Sequence, residues 1–236
     1  MANDEMARIR ADVLRHGRTW HAEGARTYGE ISRGFFDRAG HIHDNVTSAI
    51  DQLEAMAANR DPRVTEAKHQ EDVNRLAESL ATRIESSAKR ASNLLAEAYQ
   101  AEHGVLEELG VTQDNRYGAE IRARLASMSE QERSAAIDKA IQSGDSAVIA
   151  SILSAPSFVT GISSEKQSAV RNQYMQVRAP EYAGMVQAMK QSAERAEQAH
   201  KLAPEYLRQW INRSHEPGAE KATQAAQRFN EVLANL

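Results

Sequence analysis

Apolar residues recur at helical spacing over two stretches of the chain. The first begins at Ile42 and continues at steps of four, four and three residues through Val46, Ile50 and Leu53. The second has neither Gly nor Pro between Arg63 and His103. Its apolar stripe consists of Val73, Leu76, Leu80, Ile84, Ala88, Ala91, Leu95, Ala98, Val105 and Leu109. This spacing places the apolar side chains of each stretch on one face of a helix.

The second stretch predicts a helix over about 63–109, roughly 70 Å long at about 1.5 Å per residue. A compact domain of this size cannot enclose such a helix. It must therefore pair along its length with the 42–58 helix, with the C-terminal helices or with another chain. The small residues Ala88, Ala91 and Ala98 predict a close partner near its middle. The same stripe would serve pairing within and between chains, so the pattern leaves that choice open.

Helix boundaries are marked by proline, glycine and capping residues. Pro62 separates the two stretches, and Gly110 ends the long helix. Further starts and stops are predicted at Ser129 with Glu132, Gly144, Asp145, Ser164 with Gln167, Pro180, Pro204 and Pro217. We therefore predict an all-α fold, with a long coiled-coil-like helical hairpin over 41–110 and a bundle of shorter, proline-punctuated helices over 111–236.

Residues 1–40 have a different composition, rich in glycine, arginine and aromatic residues. We expect a short helix near 4–16 and then an irregular arm, because frequent glycine weakens a long helix. Its aromatic residues are candidates for partner docking or, alternatively, for packing on the chain's own bundle: Trp20, Tyr28, Phe35 and Phe36. The same two interpretations apply to an apolar face near the C-terminus formed by Leu207, Trp210 and Ile211.

One block of sequence occurs twice. Lys166-Gln167-Ser168-Ala169 and Ala179-Pro180-Glu181-Tyr182 recur 24 residues later, within 190–206, and Ala155-Pro156-Ser157-Phe158 is a weaker earlier copy. A fixed period is typical of repeated architecture, so we expect the prolines to form equally spaced corners and the aromatic residues to pack in equivalent places. Chance duplication in a helix-forming sequence is the alternative.

Composition narrows the classes of function. The absence of cysteine in the 236 residues excludes disulfides and cysteine-based zinc or iron–sulfur sites. The formal net charge is −4, with both signs interspersed, so we do not expect direct nucleic-acid binding. The N-terminus does not resemble a signal peptide, and no stretch is long and apolar enough to span a membrane. We expect a soluble protein.

Candidate chemistry is sparse. His41 and His43 with Asp44 would diverge on a helix, and we read Asp44 as a cap at a helix start rather than as a metal ligand. His103, His200 and His215 are expected to be solvated. Two Ser-x-x-Lys tetrads, 86–89 and 163–166, lack the companion motifs of penicillin-recognising enzymes. We therefore predict no catalytic residues, no metal site and no cofactor.

The segment from Met128 to Arg133, and then from Ile149 to Gly161, resembles segments of small helical proteins of tailed bacteriophages and prophages. The resemblance implies a virion structural or assembly component of the capsid-associated, connector, ejection or scaffolding type. Its partners would be further copies of itself and other virion proteins, in the virion or in the host cytoplasm during assembly. The resemblance does not assign a function to any individual residue.

Two other classes of function stay open. A bacterial helical-bundle adaptor would use the long hairpin to bind another protein. An enzyme acting on the bacterial wall would need two carboxylates facing each other across a cleft.

Overall fold

A computed structural model describes residues 26–213 of the chain, together with Ala11 and Gly24. Within these residues it contains α-helices and no strands, which confirms the all-α fold class. The helices are α1 (Gly29–Ala58), α2 (Glu66–Glu108), α3 (Gly118–Ala126), α4 (Glu130–Ser143), α5 (Ser146–Leu153), α6 (Ser157–Thr160), α7 (Ser164–Arg178) and α8 (Pro180–Arg213).

Helix α1 begins well before the predicted position. It starts at Gly29, so the prediction of an irregular arm throughout 1–40 is wrong for residues 29–40. The expected start near Ile42 and the capping role of Asp44 are wrong for the same reason, since both residues lie in the interior of α1. Burial of Phe36 and its neighbours on the core face offsets the weak helix propensity of the glycines. Of the predicted 4–16 helix, only Ala11 is among the described residues, and it is helical.

The long helix matches its prediction closely. It spans Glu66–Glu108, and Thr65 precedes it with a hydroxyl that accepts a hydrogen bond from the Lys68 amide at 3.3 Å. Gly110 follows it with a φ of 71°, and the Val111 amide reaches back to the Leu106 carbonyl at 3.0 Å. Positive φ is readily adopted only by glycine, so Gly110 allows the chain to turn away after the last helical residue.

The described residues belong to two compact units whose boundaries fall inside α2 and α8. Unit 1 comprises Met1–Leu95 and Ser192–Leu236. Its core joins α1, α2 and α8, and its fully buried members include Val46, Leu53 and Leu207. The Tyr206 hydroxyl donates to the Glu54 carboxylate, which ties α8 to α1. In this unit the long helix therefore has its partners within the same chain.

Unit 2 comprises Ala96–Gln191 and contains the end of α2, helices α3–α7 and the start of α8. Its helix boundaries follow the capping chemistry. Ser129 and Glu132 form a reciprocal capping box, Gly144 ends α4 at a φ of 73°, and the Asp145 side chain caps α5, as predicted. For α7 the cap is Ser163 rather than Ser164.

The 24-residue repeat does not produce repeated structure. Pro180 begins α8 as predicted, but Pro204 lies inside the same helix, so its expected role as a helix start is wrong. Tyr182 is half exposed, whereas Tyr206 is buried. A 24-residue step is about 6.7 helical turns, which rotates the second tyrosine to a different face of α8. The third aromatic residue, Phe158, is almost fully exposed, so the expectation of equivalent packing is wrong. Pro217 lies outside the described residues.

Candidate interaction surface

The segment that joins α5 to α7 forms a compact corner, which we call the 154–163 turn. Helix α5 ends at Leu153, and Pro156 opens the single turn of α6. Gly161, with a φ of 65°, stops α6 in the left-handed conformation. Ser163 then caps α7 by accepting from the Lys166 amide at 3.2 Å. Pro156 therefore sets the start of α6, Gly161 sets its end, and Ser163 sets the start of α7.

The side chain of Gln167, on the first turns of α7, holds this corner together. Its amide nitrogen lies 3.1 Å from the carbonyl oxygens of Ile152 and Ala155 and 3.1 Å from the Thr160 hydroxyl. The Thr160 hydroxyl in turn accepts from the Ile162 amide at 3.1 Å. Gln167 thus bonds the end of α5, the linker and α6 at once. We call this arrangement the Gln167 clamp.

The clamp presents an aromatic side chain to solvent. Phe158 is 85% exposed, and the adjacent Val159 is 45% exposed. Full burial of a phenylalanine is worth about 1.5–3 kcal/mol, and this chain does not gain that energy within its own fold. Single exposed apolar side chains are common on protein surfaces, and an aromatic one on an ordered backbone is also the kind of residue that anchors protein–protein contacts.

A second feature of unit 2 is a shallow cavity of about 340 Å³ between α3, α4 and α5. Its apolar wall consists of Ile121, Leu125, Met128, Ala136 and Val148. Glu120 and Arg124 on α3 complete the lining. We call this feature the α3–α5 cavity.

Unit 2 also contains a buried carboxylate. Glu102 is 5% exposed, and its side chain accepts from the Lys190 ammonium at 2.6 Å, with the Arg171 guanidinium 3.9 Å away. The Lys190 ammonium lies 4.7 Å from the centre of the Tyr99 ring. The sequence offered no signal for this cluster, because its members lie on three different helices. In this arrangement two cations face one buried carboxylate, so the charge of Glu102 is paired.

In unit 1, His200 packs against Ser87, so the prediction that His200 is solvated is wrong. It is 4% exposed, and its Nε2 lies 2.6 Å from the Ser87 hydroxyl. That hydroxyl is also 2.9 Å from the Ile84 carbonyl, to which it can donate its single hydrogen. When Ser87 donates to the Ile84 carbonyl, the His200 Nε2–H is the donor of the bond to Ser87. Burial lowers the pKa of His200 and favours its neutral form.

The structure brings together some of the predicted docking residues. Tyr28, Phe35 and Phe36 form one cluster, with ring centres 6.4 Å apart for Tyr28 and Phe36 and 5.5 Å apart for Phe35 and Phe36. Phe35 and Phe36 are buried, and Tyr28 is half-buried. Gly24 approaches this cluster so closely that a Cβ there would meet the Phe36 ring. This chain itself therefore covers most of the cluster.

The other predicted docking residues lie at the unit 1 core or outside the described residues. Leu207 is fully buried, while Trp210 and Ile211 are half-buried and pack against the same core. Trp20 lies outside the described residues. Sequence reasoning missed Phe158 as an exposed residue. The exposure of Phe158 could have been inferred from the spacing of Pro156 and Gly161. A helix confined between them is too short to form an apolar face that packs on another helix.

Among residues 26–213, no three His, Asp or Glu side chains converge as metal ligands would. His43 is buried in α1 while His41 is exposed, so the two point apart. None of the described helices combines the length and the apolar character needed to cross a bilayer.

No family model matches the chain, and no curated protein or solved structure shows significant similarity to it.

Proposed function

We propose that this chain is a non-enzymatic structural or assembly protein that acts through contacts between helical subunits. The observation that carries the proposal is Phe158, 85% exposed on the corner held by the Gln167 clamp. Within this proposal, the chain is a virion component of a tailed bacteriophage. That part rests on the resemblance of residues 128–161, which include Phe158.

Rigid presentation supports an anchoring role. A contact formed by a flexible side chain or loop loses conformational freedom on binding, and this loss weakens the complex. The clamp orders the backbone beside Phe158 before any partner arrives. An aromatic anchor that enters a pocket on such a backbone is the usual centre of a protein interface.

The polar clusters give weaker support to catalysis. The Glu102 carboxylate is paired with Lys190 and Arg171, and the Ser87 hydroxyl shares a hydrogen bond with His200 Nε2. The ion pairs of Glu102 balance a buried charge, which is a structural role, and the His200–Ser87 bond satisfies one of the two ring nitrogens while the buried Nδ1 has no hydrogen-bond partner in the described structure. The features of the described residues therefore fit a protein-interaction function better than an enzymatic one.

The test is the mass of the purified protein in solution, measured by light scattering over a wide range of concentrations. We expect the wild-type chain to associate, and Phe158→Ser to reduce the association without changing the thermal unfolding temperature, because the ring is exposed. Tyr182→Ser is the matched control, since Tyr182 is also an exposed aromatic residue of unit 2. Association that is equal in the wild type and Phe158→Ser would contradict the role of the 154–163 turn.

A wild-type chain that stays at 26.1 kDa at every concentration would contradict self-association. The virion assignment further predicts closed rings or tubes of uniform diameter in electron micrographs of the associated protein. Irregular aggregates would contradict that assignment.

A further inference from the structure

Unit 2 has a further cavity, which lies beside the buried Glu102 carboxylate. Its volume is about 300 Å³, and we call it the Arg171 cavity. A cavity of about 150 Å³ is enough to hold a benzene molecule, so this one has room for a small organic ligand. Its lining comes from α2, the turn after α2, α5 and α7, and includes Tyr99, Glu102, Leu106, Val111, Leu153 and Arg171.

The two cations beside Glu102 differ in how well they are satisfied. The Lys190 ammonium lies 2.6 Å from a Glu102 carboxylate oxygen and 4.7 Å from the centre of the Tyr99 ring. The Arg171 guanidinium comes only to 3.9 Å from the carboxylate, which is beyond hydrogen-bonding distance. Within the described part of the chain, the Arg171 side chain donates no hydrogen bond. A guanidinium has five N–H donors, so these stay available at the cavity.

The charges at the cavity are also unequal. One carboxylate faces two cations, which leaves a surplus of one positive charge. Among the described residues, Glu102 is the only acidic one that lines the cavity. The Arg171 side chain is 31% exposed, so it is partly shielded from water yet reachable by a ligand. A partly buried charge attracts an opposite charge more strongly than a fully solvated one does.

We infer that the Arg171 cavity binds a small organic monocarboxylate. The ligand carboxylate accepts hydrogen bonds from the Arg171 guanidinium, since the two groups match as a planar, bidentate pair. Its single negative charge balances the surplus. Its apolar part packs against Leu106, Val111 and Leu153, which favours an aliphatic or aromatic acid over a strongly hydrated anion such as phosphate. The inference does not depend on the proposed function, because it involves neither Phe158 nor self-association.

The test is a titration followed by nuclear magnetic resonance of the backbone amides, at neutral pH and low ionic strength. The probes are benzoate, its uncharged analogue benzamide, and inorganic phosphate. We expect benzoate to bind with a dissociation constant of about 1 mM or tighter, as befits a ligand of its size. Benzamide and phosphate should each bind at least about tenfold more weakly, because each lacks one half of the match. The amide shifts should centre on Leu106, Val111 and Thr112.

The role of the guanidinium is tested by Arg171→Gln. This variant should weaken benzoate binding by about ten- to a hundredfold, the usual contribution of hydrogen bonds to a charged group, and leave benzamide binding unchanged. Arg116→Gln is the matched control. Arg116 also lies beside a tyrosine ring, 4.5 Å from the centre of Tyr117, but it does not line the cavity. Its replacement should leave benzoate binding unchanged.

Two further variants keep the test independent of a folding defect in Arg171→Gln. Arg171→Lys retains the charge but not the planar fork, and should still weaken benzoate binding several-fold. Leu153→Ala should weaken benzoate binding and leave acetate binding unchanged, because acetate has too little apolar surface to reach that wall.

Several outcomes would overturn the inference. One is equal affinity for benzoate and benzamide, and another is phosphate binding as tight as that of benzoate. A third is an equal effect of Arg171→Gln and Arg116→Gln. The absence of shifts at the cavity up to about 10 mM benzoate, tenfold above the expected dissociation constant, would overturn it as well.

Discussion

Replacing Gln167 tests whether side-chain hydrogen bonds hold the corner that presents Phe158. The Gln167 amide lies 3.1 Å from each of three oxygen atoms, two of them the carbonyls of Ile152 and Ala155. An amide nitrogen has only two hydrogens, so the three acceptors share two hydrogen bonds. Each contributes about 1 ± 0.5 kcal/mol net. Gln167→Ala should therefore lower the free energy of unfolding by about 1–3 kcal/mol.

Gln167→Glu should be more destabilising, although it is nearly the same shape. The carboxylate has no hydrogen to donate and would face three oxygens, which adds about 1–3 kcal/mol for unsatisfied and repelling groups. The same environment should raise the pKa of the new carboxyl group in the folded state above its unfolded value of about 4.3. The extra loss should therefore be present at neutral pH and shrink as the pH falls through the raised pKa, because the protonated group regains a donor.

The assay is denaturant unfolding followed by circular dichroism, with thermal unfolding as a second measure. A loss of about 2 kcal/mol corresponds to about 4–8 °C in the unfolding temperature of a chain of this size. Gln191 is the matched control, since it occupies the equivalent place in the second copy of the repeat and is also half-buried. In the described structure the Gln191 side chain makes no hydrogen bond, so Gln191→Ala should change stability by less than about 0.5 kcal/mol.

The reasoning would be refuted if Gln167→Ala and Gln191→Ala had the same effect. It would also be refuted if Gln167→Glu were as stable as Gln167→Ala at neutral pH. A destabilised clamp should in addition weaken self-association, since Phe158 would no longer be held in one orientation.

Two further predictions concern the buried polar groups. Glu102→Gln should destabilise the protein by about 3 kcal/mol, because it leaves the Lys190 ammonium without its carboxylate; adding Lys190→Met should recover part of this loss, and a double variant less stable than Glu102→Gln would contradict the pairing. Burial lowers the pKa of His200 and of His43 below 6.5, so the folded state disfavours their protonation, and stability should be full above about pH 6.5 and decline as the pH falls below it. Urea unfolding at several pH values checks this. His200→Gln should flatten the decline, and an unchanged slope would contradict the contribution of His200.

The helices and many of their ends could be predicted from local sequence. The long apolar stripe predicted α2 to within a few residues at each end, and the capping residues Ser129, Gly144 and Asp145 lie where their chemistry required. Caps and periodicity depend on residues within one or two turns, so a linear sequence contains them. The start of α1 was missed because its glycines weaken the local preference, and tertiary packing of Phe36 outweighs it.

The candidate interaction surface was not predictable in the same way. The sequence predicts that Gln167 is part of a helix cap and that Phe158, two residues after Pro156, is packed. The observed role of Gln167 differs from the predicted one because it depends on residues distant in sequence. The Gln167 amide reaches back to the carbonyl groups of Ile152 and Ala155. Likewise, Tyr182 and Tyr206 occupy matching places in the repeat, but helical rotation exposes one and buries the other.

Local sequence is enough to predict that this protein is all-α, that α2 is a long helix, and where several helices stop. These properties follow from hydrophobic period and capping, which act over a few residues. The partners of the long helix, the coverage of the aromatic side chains and the burial of Glu102 and His200 depend instead on how the helices pack in the folded chain. Burial depends on which surfaces meet after the chain has folded, and an apolar stripe fits a partner from its own chain as well as one from another.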